Sequence, residues 1–122
     1  RYAKALVAVG TGAGQDRRTG LETEIVARAN PYTDDLTHGL PVQLLYQGNP
    51  RPRAQLTVFA MAPDGSVLPA TFLSDDQGMA TLPVSPGYRY LLDAVVLRPA
   101  AQGADYAWES HWASLTFAVP SR

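Results

Sequence analysis

The chain has 122 residues, with 10 Lys and Arg against 11 Asp and Glu and a formal net charge of -1. A chain of this length makes one domain with a real core, and 46% hydrophobic against 17% charged residues is a globular composition rather than a disordered one. The balance of charge excludes the basic face that nucleic acid requires, and no apolar run approaches the roughly 20 residues of a membrane-spanning helix.

Ten Gly and ten Pro favour many turns over long helices. There is no Cys, so the core holds without disulfides and the compartment stays open. The chain starts at Arg1 without a Met, so any targeting segment is expected outside it.

In chain order, residues 2–9 read as a first strand, closed by Gly10-Thr11-Gly12-Ala13-Gly14. That cluster resembles a fragment of a phosphate loop, but it lacks the Gly-Lys-Ser/Thr end and a following helical pattern, so it reads as flexible linker. Residues 15–19 read as a flexible loop. Residues 21–29 form the second strand, centred on Ile25 and Val26, and Asn30-Pro31-Tyr32 turns the chain into the polar loop 33–39. Residues 40–47 and 55–61 read as a hairpin around Gly48-Asn49-Pro50-Arg51-Pro52, whose prolines keep that connection out of a central strand.

Asp64-Gly65 is a hairpin turn, and residues 67–73 and 79–84 flank the turn Asp75-Asp76-Gln77-Gly78. An Asp-rich turn could suggest calcium. This one lacks the alternating oxygen ligands and terminal Glu of an EF-hand, and it reads as a β-turn with Gly78 at positive φ. In residues 88–97, period two puts Tyr88, Tyr90, Leu92, Ala94 and Val96 on a clean core face. Arg89, Leu91, Asp93, Val95 and Leu97 share the other. Leu56, Val58 and Ala60 point to the core, and Phe59 and Met61 to a face whose covering is left open.

Trp108, Trp112, Leu115 and Val119 also lie at helical spacing, but Thr116, Phe117 and Val119 favour strand and Pro120 ends the run. As a strand, Ala113, Leu115, Phe117 and Val119 face one side. The whole predicts an all-β fold, an antiparallel β-sandwich of about seven to eight strands, immunoglobulin-like or transthyretin-like. Residues 1–20 are the expected linker strand and loop, and residues 21–122 the sandwich domain.

Three stretches carry a resemblance to a known family. They are Leu21-Glu22-Thr23-Glu24-Ile25-Val26-Ala27-Arg28-Ala29-Asn30-Pro31-Tyr32, Leu40-Pro41-Val42-Gln43-Leu44-Leu45-Tyr46-Gln47-Gly48, and Pro86-Gly87-Tyr88-Arg89-Tyr90-Leu91-Leu92. With the Asp75–Gly78 turn and the closing Trp112-Ala113-Ser114-Leu115-Thr116-Phe117, they resemble the C-terminal domain of NikM-like proteins, in the family of domain of unknown function 4198. Tyr2-Ala3-Lys4-Ala5-Leu6-Val7 is similar to the linker strand before that domain. The motifs are structural, and similar patterns occur in transthyretin-like and carboxypeptidase-regulatory sandwiches. The resemblance implies an exported, periplasmic bacterial protein. It also implies an accessory role in nickel or cobalt uptake, with membrane transporter subunits or another domain of the same protein as partners. Longer members carry a His-rich start to the mature chain that this sequence lacks.

The candidate site residues are few. A metal needs imidazole with carboxylate, or more imidazole. His38 has Asp34 and Asp35 nearby, and His111 has Glu109 on the same strand face with Asp105 close by. The competing reading makes His38 a solvated loop residue and His111 a cap at the edge of the core face. Two histidines reaching a shared point would favour the metal. Tyr106, Trp108 and Trp112, with Tyr32 and Tyr46, form an aromatic platform for carbohydrate or protein if exposed, and a covered strand face if buried. Ser110 and His111 are strand neighbours on opposite faces and cannot pair as nucleophile and base, so a non-enzymatic domain is expected.

Overall fold

The computed structural model describes residues 2–8, 12–99 and 108–121. They form nine strands and no helix: β1 Tyr2–Ala5, β2 Thr23–Ala27, β3 Leu40–Tyr46, β4 Asn49–Pro50, β5 Gln55–Met61, β6 Val67–Leu73, β7 Met79–Leu82, β8 Arg89–Pro99 and β9 Trp108–Ala118. One sheet has five strands in the order β1-β9-β8-β5-β6. In the other, β3 takes β2 on one edge and both β7 and β4 on the opposite edge. The expected sandwich and the strand reading of the last segment are therefore found.

Alternation decides what lies between the sheets. Leu56, Leu92 and Leu115 from the five-stranded sheet meet Ile25, Leu40, Val42, Leu44 and Leu82 from the other, all fully buried. Burying each such side chain contributes about 1.5–3 kcal/mol. Tyr90 stacks on Phe117 with ring centroids 5.3 Å apart, and its hydroxyl accepts the Ser85 N–H at 2.7 Å.

The expected hairpin of residues 40–47 with 55–61 is not formed, because β3 and β5 belong to different sheets. Asn49-Pro50 folds back briefly on Tyr46 and Leu45, and the chain then crosses to the five-stranded sheet. The β5–β8 pairing ends at Thr57 and Asp93, and the Arg51 guanidinium donates to the backbone oxygen of Val95 at 3.1 Å. The Asp75–Gly78 turn also lies between strands of different sheets. Asp75 accepts the N–H groups of Gln77 and Met79 at 2.8 and 2.9 Å, which is the expected self-bonded turn.

The N-terminal segment is tied into the sandwich. β1 pairs in parallel with β9, Tyr2 opposite Ala113 and Ala5 opposite Thr116. Lys4 reaches Asp16 and Glu24 at 3.0 and 2.9 Å. Asp16 also accepts the Ala27 N–H at the free edge of β2, and Asn30 donates to the carbonyls of Gly12 and Gly14 at 2.8 and 2.7 Å. These bonds hold the segment read from sequence as linker and flexible loop against β1 and β2.

Burial alone would raise the Glu24 carboxyl. Bonds from Lys4 and the Thr19 N–H, the Lys4 charge and the Thr19 hydroxyl outweigh it and hold the pKa below the ordinary 4.5. Folding therefore favours the ionised form, whose stabilisation is present above about pH 4.5 and lost as pH falls through the folded value. Urea unfolding followed down the pH scale is expected to show this loss, with a shallower acid slope in Glu24→Gln. An unchanged slope would refute the assignment.

β6 is the open edge of the five-stranded sheet among the described residues. Its flanking bonds, Ala62 N–H to Ser66 and Ser74 N–H to Ala54, set which pairs along β5 and β6 are hydrogen-bonded. By that alternation Pro69, opposite Phe59, sits at a pair that is not bonded. The donor that proline lacks is thus one that would have pointed off the sheet. A strand added at this edge would find a gap at its middle.

Candidate functional site

The outward face of the five-stranded sheet is built from cross-strand rows that the register defines. Ala5, Thr116, Leu91, Phe59 and Pro69 make one row, and Ala118, Arg89, Met61 and Val67 the next. A polar row follows: Ala3, Ser114, Asp93, Thr57 and Thr71. Beyond it Trp112 lies opposite Val95, with Leu97 and Leu73 further out. The face therefore has two apolar halves separated by a polar band.

The first half contains a cavity of about 560 Å³. It arises where β1 and β9 part. After Leu6 donates to Thr116 at 2.9 Å the strands diverge, and the Tyr32 hydroxyl fills the gap. It donates to the Leu6 carbonyl at 2.5 Å and accepts the Ala118 N–H at 3.1 Å. Val7 and Tyr32 border one side and Met61 and Val67 the other, over Phe59 and Leu91. Arg89 is the charged residue of this lining; it is exposed, and among the described residues its side chain makes no ion pair or hydrogen bond.

The second half holds a depression of about 450 Å³ lined by Trp112, Val95, Leu97, Gln55, Thr57, Asp93 and Phe59. Trp112 is half-buried and donates to the Ser110 hydroxyl at 3.3 Å. Of the aromatic platform expected from sequence, Trp112 is thus placed on the outer face. Trp108 contributes backbone paired with Pro99, and Tyr106 lies outside the described residues. Tyr32 serves the first half instead, and Tyr46 lies on β3 in the other sheet.

The two histidines do not come together. His38 is exposed in the loop before β3, beside Val84, and Val84 with Leu36 reaches Val119. From Val119 back to His111 is eight extended residues, about 25 Å. The two histidines are at opposite ends of the sandwich. Nδ1 of His111 lies 3.7 Å from Glu22, its ring stacks on Tyr2 at 6.1 Å, and the Tyr2 hydroxyl donates to Glu22 at 2.9 Å. Asp105 lies outside the described residues, and Glu109 is placed by its backbone opposite Arg98. Among the described residues no group of three or more His, Cys, Asp or Glu is arranged to hold a metal ion. Among the described residues, His111 and Glu22 bring one imidazole and one carboxylate together at this end of the sandwich.

Arg89, Phe59 and Leu91 carry the first half, yet no motif announces them. Their signal is the apolar residues on the face opposite the core: Leu91, Val95 and Leu97 in β8, Phe59 and Met61 in β5.

In comparison with known proteins, residues 1–98 match the family described as Domain of unknown function (DUF4198). No curated protein and no solved structure matches the chain.

Proposed function

The chain belongs to the DUF4198 family, and from that premise we propose that it is a non-enzymatic binding domain of an exported, periplasmic protein. It docks a protein partner on the Trp112 half of its outer sheet face. The observation that supports this is half-buried Trp112 beside Leu97, 67% exposed, at the depression of the outer face, with Leu73, 70% exposed, further across the same face on β6. Covering such residues gains about 25 cal/mol per Å², and an exposed apolar patch rimmed by polar groups suits a protein partner. Another domain of the same protein and a membrane transporter subunit are the two candidate partners.

A photo-crosslinking residue at Leu97 or Trp112 of the full-length protein, expressed in its host, is expected to trap one defined polypeptide. Mass spectrometry of the product tells an internal domain from a separate subunit. The same residue at Thr81, exposed on the other sheet, serves as control. Equal trapping from both faces, or none from either, would reject the docking face.

A second reading is an accessory role in nickel or cobalt uptake, implied by the resemblance to NikM-like proteins. In it the domain positions other parts of the protein and does not itself enclose the ion. Calorimetric titration of Ni²⁺ and Co²⁺ checks this. No tight binding to the domain but binding to the full-length protein is the expected result, and tight binding to the domain itself would assign ligands within it.

A further inference from the structure

We propose that the cavity beneath Val7 and Tyr32 is a binding site for a small apolar monocarboxylate, with Arg89 holding the carboxylate and Phe59, Leu91 and Met61 holding the hydrocarbon body. This goes beyond the docking reading and uses the other half of the face.

Three observations carry it. The volume, about 560 Å³, lies within the range of small-molecule sites. The walls come from several segments and are mainly apolar, the polar groups being Thr116, the tyrosine hydroxyls and the guanidinium. The cavity is also built rather than incidental. It exists because Tyr32 takes up the Leu6 carbonyl and the Ala118 N–H where β1 leaves β9, which closes one side without filling the floor.

Arg89 supplies the selectivity. Its row neighbours are Ala118 on β9 and Met61 on β5, so no carboxylate sits opposite it on either strand. An exposed cation with no ion partner among the described residues, set against apolar surface, is complemented by one negative charge on an apolar ligand. The planar guanidinium binds a carboxylate by two parallel bonds. A neutral ligand of the same shape would gain the apolar contacts alone.

The test is calorimetry with decanoate and its uncharged counterpart decanamide, on the wild type, Arg89→Gln and Ala5→Trp. Ala5 is exposed on the cavity rim, so the indole occupies the space without touching the core. The wild type is expected to bind one decanoate, at least about tenfold tighter than decanamide, since hydrogen bonds to charged groups are the strong ones. Arg89→Gln is expected to abolish the preference while keeping weak binding of both, and Ala5→Trp to abolish both. Circular dichroism confirms that each variant is folded. Absence of saturable decanoate binding to the wild type, or equal affinity for the two ligands, would overturn the proposal. So would a preference that survives in Arg89→Gln, which would make Arg89 a solvating side chain only. Crosslinking at Leu97 and Trp112 reads the other half of the face, so the two ideas fail separately.

Discussion

Lys4→Met is expected to lower stability by about 3–5 kcal/mol at neutral pH, the usual cost of leaving a buried charge without its partner. Lys4 stands between two carboxylates that are 6% and 1% exposed, Asp16 and Glu24. Asp16 keeps the N–H groups of Arg17 and Ala27 when the ammonium is lost. Glu24 is worse placed. Its Oε2 keeps Thr19, but its Oε1 is buried with no hydrogen-bond partner. Methionine preserves the apolar stem, so the measured loss reports charge rather than volume.

The pH dependence provides the check. Without Lys4, burial is opposed by the Thr19 bonds alone, so the Glu24 carboxyl titrates higher than in wild type. Folding then favours the ionised form less than it does in wild type, so the deficit should shrink toward pH 5 and grow toward pH 8. Adding Glu24→Gln should restore part of the loss. Urea unfolding of the three proteins at both pH values decides it: a deficit under about 1 kcal/mol, or one independent of pH, is incompatible with this account.

Gly78→Ala is the second large effect, expected at about 2–5 kcal/mol. This sums about 1–2 for a left-handed residue with a Cβ and about 1–3 for overpacking. Gly78 has φ +75°, and a Cβ there would lie 2.7 Å from the Leu44 oxygen and 2.9 Å from the Arg51 nitrogen. Those two atoms are hydrogen-bonded to each other at 2.9 Å. β4 and β7 share one edge of β3, and Gly78 lies where their ends meet, its own carbonyl accepting the Leu44 N–H at 2.8 Å. The added methyl has only backbone to push against. Gln77→Ala, one residue earlier and exposed, should stay within about 0.5 kcal/mol of wild type. Thermal melts that place both variants together would refute the steric argument.

How much was legible beforehand follows from which interactions are local. Period two in residues 88–97 and 55–61 identified the core face, and the strand reading of Ala113, Leu115, Phe117 and Val119 was right because their burial repeats every second residue. Sheet membership was not legible. β3 and β5 are close in sequence and separated by a turn, so they read as a hairpin, and nothing local says that the chain changes sheets at Arg51. The anchoring of residues 12–19 was hidden for the same reason: Asn30, Glu24 and Lys4 each look polar and solvated until the fold brings them to Gly12, Thr19 and Asp16. At the site, indoles and histidines draw the eye as chemistry. The cavity depends instead on where two strands diverge, and Arg89 acquires meaning only from Met61 and Ala118 on either side.

The pairing of β1 with β9 has a consequence for how the chain is made. Tyr2 meets Ala113, so β1 finds its sheet partner in a strand that is synthesised long after it. While a ribosome or a translocation channel still holds the segment that carries β9, β8 and β9 cannot zip together and β1 has no β9 to join. The order of emergence therefore delays closure of the sandwich until β9 is free, which keeps the domain threadable for as long as it is being threaded.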